Sequence, residues 1–208
     1  MQVKANIKEY KIFLRNKYKK IRLSMNPRQK AKMDKSILKK VISLREYSKE
    51  DTLFTYVSKP IEVDTLKIIE KALKDNKKVA VPKCITKTRG MDFYYINSLD
   101  DLEIGTFGVL EPIESKCEKV ADLNHGLCIV PGFSFDRFGY RLGYGMGYYD
   151  RFLSNFKGAT VGLCYYNCMK KELPHGYYDR PVDIMVTDVY IKTLKKDKKY
   201  INSKFRRA

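Results

Sequence analysis

Apolar residues recur at helical spacing over residues 4–23. Ile7, Tyr10, Leu14, Tyr18 and Ile21 line one face, and Lys4, Lys8, Lys11, Arg15, Lys19 and Arg22 form an adjacent basic stripe. Asn26-Pro27 supplies an N-cap and first-turn pair for a second helix, with Gln29 at the capping-box position and Met33, Ile37, Val41 and Leu44 on its buried face. Thr52 to Val57 predicts a strand, and Asp64 caps a short helix carrying Leu66, Ile69 and Leu73. Lys78 to Val81 predicts a strand closed by Pro82, and Met91 to Ile96 alternates as another. The polar span 100–124 reads as loop. Leu127 to Val130 predicts a short buried strand, Tyr148 to Phe156 a helix, Thr160 to Tyr165 a strand, and Ile184 to Val186 the last one.

Strands alternating with helices predict an α/β fold: one domain over 1–208, built on a mostly parallel open sheet with helices on both faces and ending in a basic tail at about 193–208. Ligands of such sheets bind beyond the carboxyl ends of the strands. One segment there carries the chemistry. The apolar strand ending at Val130 leads through Pro131-Gly132 and Phe135-Asp136 into Gly139-Tyr140-Arg141-Leu142-Gly143-Tyr144-Gly145-Met146-Gly147, and Tyr148-Tyr149-Asp150-Arg151 opens the helix. A strand, a glycine-rich turn and a helix start bring backbone N–H groups together on an anion. Arg141 and Arg151 bracket the turn with positive charge, and Asp150 adds a carboxylate able to hold a metal, so the segment reads as a nucleotide phosphate site. It is not a Walker A loop, and the third glycine arrives one residue too early for a dinucleotide fingerprint.

Composition narrows the partners. The chain has 42 basic and 24 acidic residues, net +18, a balance that suits polyanions such as nucleotides, polycarboxylates and nucleic acid. The lysines are spread as on a solvated surface, with no RNA-binding signature, so nucleic acid is not the expected partner. A mean hydropathy of −0.45 and the lack of a long apolar window argue against a membrane span. The basic N-terminus lacks the apolar core of a secretory signal. Five cysteines without a Cys-x-x-Cys pair, and only two histidines, make poor zinc-site material and suit a reduced, cytoplasmic protein.

The whole run from Pro131-Gly132 to Asp150-Arg151 closely resembles the signature of the 5-formyltetrahydrofolate cyclo-ligase family. The likeness extends over most of the chain, through Lys11-x-x-Leu14-Arg15, Tyr56 to Thr65, Pro82-Lys83, Met91-Asp92-Phe93, Phe107 to Pro112, Gly162-Leu163-x-Tyr165, Leu173-Pro174, Asp179 and Val182-Asp183. The C-terminal segment departs from the pattern: Cys168 stands where Gln is common, Gly176 where Glu is common, and Tyr178 where His or Trp precedes Asp179.

The resemblance implies an ATP-dependent closure of 5-formyltetrahydrofolate to 5,10-methenyltetrahydrofolate, with ATP and Mg²⁺ as cofactors and a folate whose tail can be polyglutamylated. It implies that Lys11, Arg15 and Arg141 neutralise the phosphates, and that ATP lies along Leu142, Gly143, Tyr144, Gly145, Met146, Gly147, Tyr148, Tyr149 and Asp150. Lys11 and Arg15 are one helical turn apart, so both can meet one phosphate chain. Val57, Glu62 and Tyr149 are implied as folate contacts, Glu62 on the pterin edge and Tyr149 as a flat wall. Asp150 is the first expected metal ligand and Asp183 the second. A monomer or weak homodimer is expected. A basic nucleic-acid-binding protein is the competing reading, and a folate- or nucleotide-binding relative without turnover a third.

Overall fold

The computed structural model of the chain describes residues 6–194. Helix α1 (Ile7–Leu23) starts where the Asn6 side chain accepts from the Lys8 N–H, and it buries Leu14, Tyr18 and Arg22. Its buried face is rotated from the expected one: Ile7 is 59% exposed, and Arg22, expected on the solvent stripe, is buried. The residues 4–5 of the expected helix, and the basic tail beyond Leu194, lie outside the described residues. Helix α2 (Pro27–Ile42) has the expected Asn26 cap, whose side chain accepts from Arg28 and Gln29, and buries Ile37 and Val41. A short α3 (Arg45–Lys49) follows.

Strand β1 (Thr52–Phe54) is shorter than its apolar run. Thr55 still donates its N–H to the Ala80 carbonyl (2.9 Å), but the chain then leaves the ladder. The Thr65 hydroxyl reaches the Tyr56 carbonyl (2.6 Å), and Ser58 and Thr65 exchange backbone-to-hydroxyl bonds of 3.0 and 3.1 Å, closing the loop over 56–65. Helix α4 (Leu66–Lys74) begins there, its Leu66 N–H held by the Asp64 carboxylate at 3.0 Å.

Strand β2 (Lys78–Ile85) runs straight through Pro82 and pairs antiparallel with β3 (Gly90–Ile96). Pro82 does not close the strand, because its missing N–H falls on the β1 side, and β1 has already ended there. The polar span read as loop holds a hairpin of β4 (Leu102–Ile104) and β5 (Leu110–Pro112). Strand β6 (Leu127–Val130) precedes a second hairpin, β7 (Ser134–Phe135) with β8 (Arg141–Leu142). Helix α5 (Tyr148–Asn155), β9 (Ala159–Cys164) and β10 (Ile184–Thr187) follow the sequence reading. β10 is not the last strand, since β11 (Ile191–Thr193) pairs with it as an exposed antiparallel edge.

The main sheet has the order β11-β10-β9-β6-β1-β2-β3, parallel throughout except for its two edge strands. From β1 the chain crosses through α4 to β2, on one side. From β6 it crosses through α5 to β9, on the other. Right-handed crossovers in opposite directions place α4 and α5 on opposite faces. Phe152 and Phe156 of α5 pack on Phe93 and Phe54, with ring centroids 4.5 and 5.1 Å apart, while α2 packs against α4 and β10. The strand order therefore reverses between β6 and β1, and the crevice outside their carboxyl ends is where an open sheet of this kind binds ligands.

Candidate active site

The loops leaving β1 and β6 form the two sides of a cavity of about 1260 Å³. Lys11 and Arg15 of α1, Pro82 and Cys84 of β2, and the segment from Tyr178 to Arg180 complete its walls. Of the residues expected at the site, Lys11, Arg15, Val57, Glu62 and every residue from Arg141 to Asp150 line this one cavity.

The glycine-rich turn is held from both ends. Arg15 Nε donates to the Gly143 carbonyl at 2.8 Å, and its guanidinium lies against Gly145, where an added Cβ would stand 3.0 Å from a terminal nitrogen at φ +99°. Arg151 donates to the Met146 carbonyl (2.7 Å) and to the Arg89 carbonyl (2.8 Å), tying the turn to the β2–β3 hairpin. Gly147 takes a left-handed φ of 73° and leads into α5 without a side-chain cap. The first-turn N–H groups of α5 are thus left for an anion. Burial lowers the Arg15 pKa, with Asp179 opposing it; a guanidinium stays charged at neutral pH regardless.

Arg141 and Asp150 are bonded to each other. Arg141 donates to Asp150 Oδ1 at 2.6 Å and to the Arg180 carbonyl at 2.7 Å, and its side chain is only 5% exposed. The Arg180 N–H also reaches Asp150 Oδ1, at 3.2 Å. Lys11 is paired with Asp179 at 2.9 Å. The two expected metal carboxylates are not brought together. Asp183 accepts from the Thr160 N–H and hydroxyl, at 3.0 and 2.8 Å. That contact sits at the amino ends of β9 and β10, because Ile184 pairs with Val161, and Asp183 does not line the cavity. Among the described residues no three His, Cys, Asp or Glu side chains gather as a metal cluster. Magnesium commonly takes one carboxylate plus phosphate oxygens, and Asp150, with Oδ1 engaged by Arg141, is the residue suited to that.

On the opposite wall, Glu62 is 5% exposed. Its Oε2 accepts from the Lys59 N–H at 2.8 Å and its Oε1 from the Tyr144 hydroxyl at 2.6 Å. Burial, with Glu62 adding to it, pushes the Tyr144 pKa well above the ordinary tyrosine value. Val57 is buried beside it. The Tyr149 hydroxyl is buried without a hydrogen-bond partner, and burial raises its pKa as well. Tyr148 is half-buried, its ring 6.3 Å from Phe107 and under the Arg151 guanidinium. Two groups escaped the sequence reading. Tyr144 was expected only on the nucleotide side. Arg22 donates to the carbonyls of Gly132 and Phe133, beneath the turn; its helical spacing alone read as surface.

A doubly covered α/β sheet with a cationic glycine-rich turn and an acid-bearing wall in one switch-point crevice is an arrangement suited to a nucleotide-handling enzyme. The sequence pattern of the 5-formyltetrahydrofolate cyclo-ligase family matches residues 7–188. The chain belongs to that family, whose members are ATP-dependent ligases of folate metabolism. It is 32% identical over 169 residues to a probable 5-formyltetrahydrofolate cyclo-ligase of Schizosaccharomyces pombe, covering 73% of this chain and 82% of that one. It is 29% identical over 180 residues to the 5-formyltetrahydrofolate cyclo-ligase of Haemophilus influenzae, covering 83% and 95%. Among solved structures, Aquifex aeolicus 5,10-methenyltetrahydrofolate synthetase superposes with a TM-score of 0.78 at 32% identity, covering 89% of this chain and 93% of that one. A synthetase of the same name from Mycoplasma pneumoniae, at 21% identity, shares the fold with a TM-score of 0.66 over 86% of this chain and 98% of its own.

Proposed function

We propose that the chain closes 5-formyltetrahydrofolate to 5,10-methenyltetrahydrofolate with ATP, releasing ADP and phosphate. The observation that carries this reading is the single cavity in which the cationic glycine turn faces Glu62 across the switch point. A phosphate donor and an apolar, donor-bearing ring system would meet there.

The formyl oxygen is a poor leaving group until it is phosphorylated. In the proposed sequence it attacks the γ-phosphorus, forming a P–O bond as ADP leaves. N10 then adds to the activated carbon, phosphate departs, and loss of the N10 proton leaves the methenyl bridge. Such a transfer needs positioning and charge neutralisation more than a protein nucleophile. Arg15 and the first-turn N–H groups of α5 would hold the phosphates, and Lys11 would join them from its pair with Asp179. Arg141 would fix Asp150 in place. Asp150 is the residue we assign to Mg²⁺, which would supply charge neutralisation on the phosphate oxygens. Val57, Glu62 and Tyr149 would bound the folate, and the exposed Lys8 at the cavity rim would meet a polyglutamate tail.

All five cysteines are free thiols, which suits a cytoplasmic setting, and we expect a monomer or weak homodimer. Among the described residues no helix is long and apolar enough to cross a membrane. The test is the rise of methenyltetrahydrofolate absorbance after mixing protein, Mg-ATP and 5-formyltetrahydrofolate. Folded protein that gives no rise overturns the reading.

A further inference from the structure

Glu111 lies at the cavity wall on β5 and is 3% exposed. Its surroundings leave a buried carboxylate short of donors. Oε1 accepts from the Cys84 N–H at a long 3.3 Å, and burial, with the Glu111 charge adding to it, pushes the Cys84 thiol up to about 11. No ion pair among the described residues includes it. Lys83, which feels its charge, bonds Glu114 instead at 3.1 Å. A carboxylate has about four acceptor sites, so one long hydrogen bond leaves Glu111 with acceptor capacity for a ligand at the cavity wall.

The fold nevertheless builds a seat for it. Gly105 closes the β4–β5 hairpin so tightly that an added Cβ would come within 2.4 Å of Glu111 Oε2. The neighbouring lining is flat and apolar, with Pro82, Met91 and Leu110. The Tyr149 hydroxyl, buried without a partner and within electrostatic reach of Cys84 and Glu62, is an unmet polar group in the same chamber. Glu62, by contrast, already holds a donor on each oxygen.

We infer that Glu111 is a specificity residue that reads the 2-amino-4-oxopyrimidine edge of the pterin. That edge presents N3–H and one 2-amino N–H side by side, a parallel donor pair that matches the two oxygens of a carboxylate. The flat ring would lie on the Pro82–Met91 floor. This assignment rests on the folate reading above and adds an acid to it that faces the ring from β5 rather than from the loop after β1.

The test compares wild type with Glu111→Gln on 5-formyltetrahydrofolate and on its analogue carrying 2-methyl in place of 2-amino. Wild type is expected to need about tenfold or more of the analogue for half-saturation, the ratio a hydrogen bond to a charged group supports. Glu111→Gln is expected to lose about tenfold on the natural substrate, to discriminate little between the two, and to keep the KM for ATP. A merely structural role would not couple to the 2-position. If Glu111→Gln does not fold, Glu111→Asp, which keeps the charge but shortens its reach, is expected to show the same loss. Equal discrimination in wild type and variant overturns the inference while leaving the folate reading intact. Wild type that makes no methenyl product removes the folate reading and this inference with it.

Discussion

The Tyr144 hydroxyl donates to the Glu62 carboxylate at 2.6 Å, so a residue of the anion turn holds an acid of the opposite loop across the switch point. Tyr144 also packs on Phe133, with ring centroids 4.6 Å apart, and Arg22 fixes the Phe133 backbone from below. The two sides of the cavity are mechanically one unit.

Cutting that bond should be felt on the folate side. Tyr144→Phe removes a hydrogen bond to a charged group, worth about 1.5 kcal/mol or roughly tenfold. The expected result is a KM for 5-formyltetrahydrofolate raised about tenfold, with a melting temperature lowered by only a few degrees. Steady-state kinetics with each substrate varied in turn check this; an unchanged folate KM would show the tie to be incidental.

Arg15→Ala should act on the nucleotide side. It removes both the Gly143 carbonyl contact and a cation, and a charge-assisted contact of about 2 kcal/mol predicts a fall in kcat/KM for ATP of about thirtyfold. Arg15 is partly exposed, so the thermal melt should move little. A loss confined to stability would contradict its role.

The Arg141–Asp150 pair has both a structural and a functional share. Asp150→Asn leaves a guanidinium 5% exposed facing a neutral amide. Because Asp150 is partly solvated, the cost should be about 1–3 kcal/mol, below the full penalty of a broken buried pair. A double-mutant cycle of Arg141→Met and Asp150→Asn in denaturant unfolding should give a coupling near 1 kcal/mol or more, and both single variants should lose turnover. Additive unfolding energies would deny the coupling.

Alkaline pH should destabilise the protein through its tyrosines. Burial, the largest cause, raises Tyr56, Tyr144, Tyr149 and Tyr165 above the ordinary value of 10.0. A raised folded-state pKa gives stability that is fully present below the unfolded value and is lost as pH rises above it. The melting temperature should therefore be flat, on this account, up to about pH 10 and fall beyond it. Tyrosinate absorbance from Tyr56, Tyr149 and Tyr165, whose hydroxyls are buried, should appear together with unfolding; their ionisation in still-folded protein would contradict that burial.

Much of this was legible where local chemistry decides. The Asn26-Pro27 cap, the apolar β6 run and the glycine turn into α5 each carry their own signal within a few residues. The β4–β5 hairpin was not legible, because its strands are only three residues each and its turn relies on Phe107 adopting φ 60° and on the close approach of Gly105 to Glu111. Pro82 read as a strand end because a sequence does not say which edge of a strand is unpaired. Arg22 read as surface because its partners, the carbonyls of Gly132 and Phe133, are more than a hundred residues away. Val57, Glu62 and Tyr149 came from family likeness alone, since an acid in a loop has no periodicity to mark it. Asp183 carried the same kind of signal, and the strand register placed it at the other end of the sheet.

The most direct measurement is a crystal structure of the chain with a non-hydrolysable ATP analogue and 5-formyltetrahydrofolate. The phosphates should lie along Gly143 to Gly147 beside Arg15, with the pterin between the Pro82 wall and Glu62 and the formyl oxygen toward the terminal phosphate. A nucleotide bound elsewhere, or the two ligands in separate pockets, would contradict the account.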